Sequence, residues 1–468
     1  MEYVNQKLNE FNRSVKNKKI AIIGLGTSNI PLIDYFYEKG SYISVFDNRE
    51  KENIEEETLE KIEKYNIKSY FGKDNLKNLV GFDYIFRSPS CMPTIPELQK
   101  EIERGAIVTS EIEKVLELSP STIIGITGSD GKTTTTTLIY EILKNAGYRC
   151  FLGGNIGTPL FTKIKDMKPE DYVVLELSSF QLIDMKISPK IAVVTNVTPN
   201  HLNVHKDYQE YIDSKKNIFM HQKSDGILVI NYDNEITKDF YKDAKGTVRY
   251  FSHKKLLDDG VIFDESDKVI KLCDDGVRKH LIKQKDMNLR GEHNCDNASA
   301  AIAATLGLVK EDSIVNTIEE FKGVEHRLEF IREINNVKWF NDSIGTSPTR
   351  TIAGLKSFDE KIVLIAGGYD KNLDYEPIAE PIIENVSKLI LMGATADKIE
   401  RAVKEKLKET GKELPIYRCK TLQEVANKAK EVANGGEVVL FSPASASFDL
   451  FKNFAERGNL FKEIVNKL

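Results

Sequence analysis

Cysteine is sparse in this chain, and long apolar runs are absent. The five cysteines, at 91, 150, 273, 295 and 419 of 468 residues, are odd in number and never form a C-x-x-C pair. That spacing excludes a disulfide framework or a thiolate metal cage and implies reduced thiols in a reducing compartment. No apolar run reaches the length needed to cross a bilayer. The first residues, Met-Glu-Tyr-Val-Asn, lack the apolar segment of a signal peptide. The expectation is a cytoplasmic protein. Excess positive charge is also missing: Lys+Arg is 66 against Asp+Glu 71, a net charge of −5. With no Lys/Arg block, nothing suggests a general affinity for nucleic acid. There is no low-complexity tract. An apolar fraction of 41% and a charged fraction of 29% are ordinary for a globular chain. The length suggests about three domains.

What is present is organised around Gly125-Ile-Thr-Gly-Ser-Asp-Gly-Lys-Thr-Thr134. The apolar run 122–126 reads as a buried strand, and Leu138, Ile139, Ile142 and Leu143 fall at helical spacing. A glycine turn between strand and helix, ending in Lys-Thr, is the context of a phosphate-binding loop. Gly128, Ser129, Asp130 and Gly131 would turn backbone N–H groups toward one point at an electropositive helix N-terminus. Lys132 would neutralise the outer phosphates, and Thr133, followed by Thr134, would offer a hydroxyl to Mg²⁺. The spacing departs from the strict motif, since Ile126 stands five residues before Gly131. The reading is an ATP site.

Around this loop the chain alternates strands and helices. Residues 18–26 form a strand entering a Gly24-x-Gly26 turn, and Tyr42–Asp47 a second strand ending in an acid about 20 residues on, where a Rossmann unit holds a ribose. The third glycine of the dinucleotide fingerprint is missing, because Asn29 occupies its place. The turn therefore reads as a nucleotide-like site and not specifically as a nicotinamide site. Tyr172–Gln181 reads as a near-continuous apolar strand interrupted by Glu176, a carboxylate that burial would require to be paired, protonated or metal-bound. His201 and His205, at i, i+4, lack the following Glu of a zinc helix, and Pro199 disfavours a helix there. Tyr211–Phe219 is an amphipathic helix with adjacent lysines, one of which could face the loop. Asn294 and Asn297, at i, i+3, could present amides to a base or simply cap a helix. Residues 223–285 read as a peripheral sheet. From Gly323 strands again alternate with helices, and their carboxyl ends carry Asp342, Lys371 and Ser447. The expectation is α/β throughout in three domains. Residues 1–110 would form an N-terminal Rossmann-like parallel sheet, 111–323 a central P-loop ATPase-like domain with the peripheral β-sheet, and 324–468 a C-terminal Rossmann-like domain.

Taken together, the Thr127–Thr134 loop, Gly153–Gly157, Glu176, His201, Asn294/Asn297, His326-Arg327 and Asp342 resemble the Mur ligases, ATP-dependent amide-bond ligases of peptidoglycan precursor synthesis. Leu175–Leu182 and Ser442–Gly458 resemble the branch that adds D-glutamate. The resemblance runs from Gly24 to Gly458. It implies that Thr27, Ser28, Asp47 and Arg49 hold a UDP moiety, and that Lys132, Thr133, Asn294, Asn297, Arg327 and Asp342 contact ATP. It implies Mg²⁺ on Glu176, His201 and Lys215, the lysine being carbamylated. It places Asn155 and Ser178 on the muramoyl-alanine substrate, and Thr346, Lys371, Ser447 and Phe454 around D-glutamate. Four departures stand out: Ser90 for a glycine, Asn200 and Asn203 for acids beside the histidine, and Ile344 for a lysine.

The implied chemistry is phosphoryl transfer from ATP to the alanyl carboxylate of UDP-N-acetylmuramoyl-L-alanine, then attack on the acyl phosphate by the D-glutamate amine. Lys132, the loop amides and two Mg²⁺ ions would offset the repulsion of anion on anion. The C-terminal domain is expected to close when nucleotide binds, and the protein to act as a monomer. Other readings are a related ligase with a different amino-acid pocket, a nicotinamide oxidoreductase, and a nucleotide-binding regulator. Substrate-dependent ADP release separates them.

Overall fold

The computed structural model describes residues 3–200, 204–289, 291–371 and 373–468. Among them are three sheets. The chain divides into two compact units, one of residues 1–284 and 295–318, the other of 285–294 and 319–468.

The first sheet comprises β1 (Lys19–Ile23), β2 (Tyr42–Asp47), β3 (Lys68–Phe71), β4 (Tyr84–Arg87) and β5 (Ile107–Thr109), in the order β3-β2-β1-β4-β5. All its pairings are parallel. Ile-Ala-Ile-Ile in β1 and Ile-Ser-Val-Phe in β2 are buried on both faces, as strands covered by helices on either side must be. Strand order reverses between β1 and β4, so the glycine turn after β1 opens at the switch point.

The second sheet has nine strands. They are β6 (Thr122–Thr127), β7 (Cys150–Gly154), β8 (Tyr172–Glu176), β9 (Ile191–Val194), β10 (Ile227–Asn231), β11 (Thr247–Ser252), β12 (Gly260–Asp264), β13 (Val269–Asp274) and β14 (Val277–Lys283). The order is β14-β13-β12-β11-β10-β9-β6-β8-β7. Residues 223–285 thus form the outer strands of this same sheet, in which only the β12–β13 and β13–β14 pairings are antiparallel, so that β13 alone runs against the others. β6 lies between β8 and β9, which places its glycine loop at a second switch point. The stretch expected as one strand to Gln181 stops at Glu176. Ser178 caps a short helix, Ser179–Leu182, by accepting from Gln181 N while the Gln181 side chain accepts from Ser178 N. That Ser-x-x-Gln box competes with strand continuation. The two sheets share one core, in which Phe161 meets Phe11, Phe36 and Phe86 with ring centroids 5.9, 6.1 and 6.2 Å apart. Arg87, buried at the end of β4, pairs with Asp184 beyond β8.

The second unit holds β15 (Glu329–Ile334), β16 (Val337–Asn341), β17 (Ile362–Ala366), β18 (Val386–Leu391), β19 (Ile416–Arg418) and β20 (Val438–Phe441), ordered β15-β16-β20-β17-β18-β19. β15 and β16 form a hairpin through Asn335 and Asn336, both at positive φ. The other pairings are parallel. Leu364, Leu389 and Leu440 fill one face, and Trp339, Ile390 and Phe441 the other. The order reverses between β17 and β20, so the loops after them face a common crevice. No helix among the described residues is long and apolar enough to cross a membrane.

Candidate active site

The phosphate loop is built as its residue types require. Gly131 has φ +80° at the N-cap of the helix Lys132–Asn145, and a Cβ there would lie 2.2 Å from Asn297 Oδ1. At Gly128 a Cβ would meet Thr195 Oγ1. Glycine is needed at both places, the first for its dihedral and both for the close approach. The loop is pinned from outside: Ser129 N donates to Asn196 O at 2.9 Å, Asp130 N to Asn196 Oδ1 at 2.9 Å, and Thr195 Oγ1 to Asp130 O at 2.6 Å. Lys132 Nζ folds onto the Gly128 and Ser129 carbonyls, both at 2.9 Å. Thr133 and Thr134 occupy the first helical turn, whose N–H groups point outward along the helix axis.

Lys215 comes from the helix Tyr208–Met220 and is 2% exposed. Its Nζ donates to Gly128 O at 2.7 Å and sits 4.7 Å from the centroid of the Tyr211 ring. Burial, and then the charge of Lys132, push its pKa well below the usual lysine range, against the pull of Asp130 and Glu176. Lys216 instead turns away and pairs with Asp243 at 2.5 Å. Glu176 ends β8 and is 1% exposed. Its Oε1 accepts from Asn155 Nδ2 at 2.8 Å, and Asn155 N donates to the Glu176 carbonyl at 2.8 Å. Its Oε2 is buried with no hydrogen-bond partner. The orphaned carboxylate oxygen is a hard ligand of the kind a divalent cation takes, and the burial that lowers the Lys215 pKa disfavours a competing positive charge beside it. His201 lies outside the described residues. His205 stacks on Phe180, with Nε2 2.9 Å from Ser179 Oγ and Nδ1 3.3 Å from Glu210 Oε2.

At the switch point of the first sheet, Asp47 Oδ2 accepts from Leu25 N at 2.7 Å, and Oδ1 from Arg49 N and Nε at 2.9 and 3.0 Å. Burial raises the Asp47 pKa, but these bonds to Arg49 and Leu25 outweigh it and hold the carboxyl low. Arg49 also donates to Leu25 O. Both residues therefore brace the glycine turn, beside which Thr27 is exposed and Ser28 half-buried. Asn29, at the place of the missing third glycine, donates to the Ile23 and Gly24 carbonyls at 3.0 Å each. Ser90 Oγ lies 2.9 Å from Ser88 Oγ.

In the second unit Asp342 follows β16. Burial pushes its pKa up to about 6, opposed by the hydrogen bond from Ser442 and the charge of Arg327. Ser442 Oγ donates to its Oδ2 at 2.6 Å. Asn294 and Asn297 both fall early in the helix His293–Thr305 and are buried. Ser447 is buried in the loop after β20, Lys371 is exposed after β17 with Nζ 5.5 Å from the Phe448 ring centroid, and Phe454 opens the helix Phe454–Lys467. Thr346 N donates to Ile344 O at 2.8 Å.

Sequence reasoning assigned no role to Arg457 or Tyr211. Arg457 is 2% exposed and donates to Ser343 Oγ and to the carbonyls of Ser343, Ser445 and Ala446. Burial pulls its pKa down to about 10, against the charges of Asp449 and Asp342. Tyr211 OH lies 2.8 Å from Ser129 Oγ. Nothing in the spacing of either residue marks it, since each role depends on a distant loop.

Fold and site together define an α/β protein with a strand–glycine-turn–helix loop of the P-loop kind, against which a buried lysine and a buried carboxylate are set. Sequence profiles of three Mur ligase domains match it in order: the MurD-like N-terminal domain over residues 18–110, the Mur ligase middle domain over 126–305 and the glutamate ligase domain over 326–445. The chain belongs to the Mur ligase family. It is 50% identical over 467 residues to the UDP-N-acetylmuramoylalanine--D-glutamate ligase of Acetivibrio thermocellus, covering 99% of this chain and 100% of that one. It is 47% identical, with the same coverage, to the enzyme of that name from Ruminiclostridium cellulolyticum. Among solved structures, the UDP-N-acetylmuramate-alanine ligase MurC of Thermotoga maritima aligns over 96% of this chain and 99% of its own, with TM-score 0.59 and 20% identity. MurF of the same organism, solved with ADP, aligns over 97% and 96% with TM-score 0.55 and 19% identity. These two likenesses concern the fold.

Proposed function

We propose that this chain is an ATP-dependent acid–amino-acid ligase that joins D-glutamate to UDP-N-acetylmuramoyl-L-alanine in peptidoglycan precursor synthesis. The single observation that carries this reading is the Lys215 amine seated against the phosphate loop beside the orphaned Glu176 oxygen. It stands in a chain half identical, end to end, to ligases so named.

A carboxylate resists attack by an amine because its oxygens leave poorly. Phosphorylating it makes the departing group a phosphate. The loop amides and Lys132 hold the triphosphate and offset the charge of the approaching carboxylate. Asn155 and Ser178 flank Glu176 and orient the muramoyl-alanine end. Thr27, Ser28, Asp47 and Arg49 receive the UDP moiety at the first switch point. Asn294, Asn297, Arg327 and Asp342 take the adenosine. Two Mg²⁺ ions would be held by Thr133, Glu176, His201 and a carbamylated Lys215, supplying further neutralisation of phosphate charge. A depressed amine pKa favours that modification, because only the neutral amine reacts with carbon dioxide. Thr346, Lys371, Ser447 and Phe454 hold the D-glutamate, whose amine attacks the acyl phosphate. We divide the chain functionally at 110 and 323, and place the protein in the cytoplasm as a monomer. The test is ADP release with UDP-N-acetylmuramoyl-L-alanine and a panel of D-glutamate, L-glutamate, meso-diaminopimelate and L-lysine. Turnover is expected with D-glutamate, and turnover with another member alone would overturn the reading.

A further inference from the structure

Several cations in the second unit are neutralised by acids. Lys388, Lys398, Arg418 and Lys462 each pair with an acid. Arg350 and Lys371 form no ion pair among the described residues, and both are exposed. Arg350 lies in the first turn of the helix Pro348–Leu355, and its Nη1 donates to the carbonyl of Ile344 at 3.2 Å. Position 344 itself is apolar, so the guanidinium is brought there from six residues along the chain.

The surroundings are those of the amino-acid loops. Arg457 holds the Ser343 carbonyl and those of Ser445 and Ala446 at once. Ser343 Oγ donates to Phe454 O at 2.8 Å. Ile344 is therefore fixed beside the chain carrying Ser447 and Phe454. A dicarboxylic amino acid brings two negative groups to this crevice, and Arg350 and Lys371, neither held in an ion pair among the described residues, stand on the segments that follow β16 and β17, Arg350 within electrostatic reach of Asp342.

We propose that Arg350 is a specificity-determining residue that binds one carboxylate of the incoming dicarboxylic amino acid, with Lys371 serving the other. The bond to Ile344 O occupies one face of Nη1 and leaves Nε and Nη2, a planar fork that matches a carboxylate. An amino acid with a neutral side chain would leave one cation unmatched, which supplies discrimination as well as affinity. The proposal rests on the reading of this unit as the amino-acid-binding one.

The test is steady-state ADP release by the full chain with UDP-N-acetylmuramoyl-L-alanine, comparing wild type, Arg350→Gln and Arg350→Lys. Arg350→Gln should raise the KM for D-glutamate by about tenfold or more while kcat and the KM for ATP stay nearly unchanged. Arg350→Lys, which keeps a cation, should lose less. A Gln variant whose KM stays within about twofold of wild type overturns the proposal alone. So does equal loss in both variants, or a parallel rise in the KM for ATP with a lower unfolding midpoint. A wild type without D-glutamate-dependent turnover overturns the functional reading and this proposal with it.

Discussion

The amine of Lys215 sits 2.7 Å from the carbonyl oxygen of Gly128, so a lysine far along the chain closes the phosphate loop from outside. Buried and set beside a second lysine, Lys132, it is driven toward its neutral form. Lys215→Ala should therefore lose most ligase activity, whereas Lys216→Ala, which removes only the pair with Asp243, should keep it. Short carboxylic acids should restore part of the Lys215→Ala rate by standing in for a carbamate. Full activity without Lys215, or no rescue by any acid, would count against carbamylation.

Lys132→Ala removes the only cation of the loop itself. Its loss should lower kcat by about 100-fold or more, the scale of deleting one preorganised donor at a site of developing charge. Lys132 Nζ donates to Gly128 O and Ser129 O and its side chain is only half-buried, so the fold should survive its truncation. Near-normal turnover would refute the loop assignment.

Asp342 gives stability a pH dependence whose direction is opposite to that of a salt-bridged acid. Its folded pKa of about 6 lies above the ordinary 3.8. Between these values the unfolded chain has released the proton and the folded chain still holds it. The unfolded state thus binds fewer protons, and stability falls as pH rises through the window, then levels off. Asp342→Asn should remove that component, a gain on the order of 2–3 kcal/mol at about pH 8 relative to about pH 4. Urea unfolding of both proteins at the two pH values measures it. The same variant should weaken ATP binding, because the amide is a poorer acceptor for ribose hydroxyls.

Arg457→Lys cannot match the carbonyls of Ser343, Ser445 and Ala446 from a single ammonium. Each buried carbonyl left unmatched costs about 1–3 kcal/mol. The urea midpoint should drop, and the KM for D-glutamate should rise as the loop carrying Ser447 loosens. A variant of unchanged midpoint would show that the guanidinium is not what organises these loops.

Much of this architecture is legible in the residues. The P-loop strand and helix, the Asn335-Asn336 hairpin and the doubly wound second unit follow from apolar periodicity and turn chemistry. β3 and β19 leave no clear trace, because Lys-Ser-Tyr-Phe and Ile-Tyr-Arg are short edge strands with polar positions. The helix at Ser179 was readable from Ser178 and Gln181 but is masked by the apolar run before it. Lys215 and Lys216 are adjacent on an amphipathic helix, and which one faces the loop is visible only in the fold, where Lys215 reaches Gly128 O and Lys216 pairs with Asp243. Asn29 explains the missing glycine: its amide satisfies two carbonyls of the turn.

The central claim is that ATP is used to make the alanyl carboxylate reactive by phosphorylating it. It is tested most directly by supplying UDP-N-acetylmuramoyl-L-alanine with heavy oxygen in that carboxylate, together with ATP and D-glutamate, and weighing the phosphate released. One heavy oxygen carried into phosphate per amide formed is the expected result. Amide formed with phosphate of ordinary mass would contradict it.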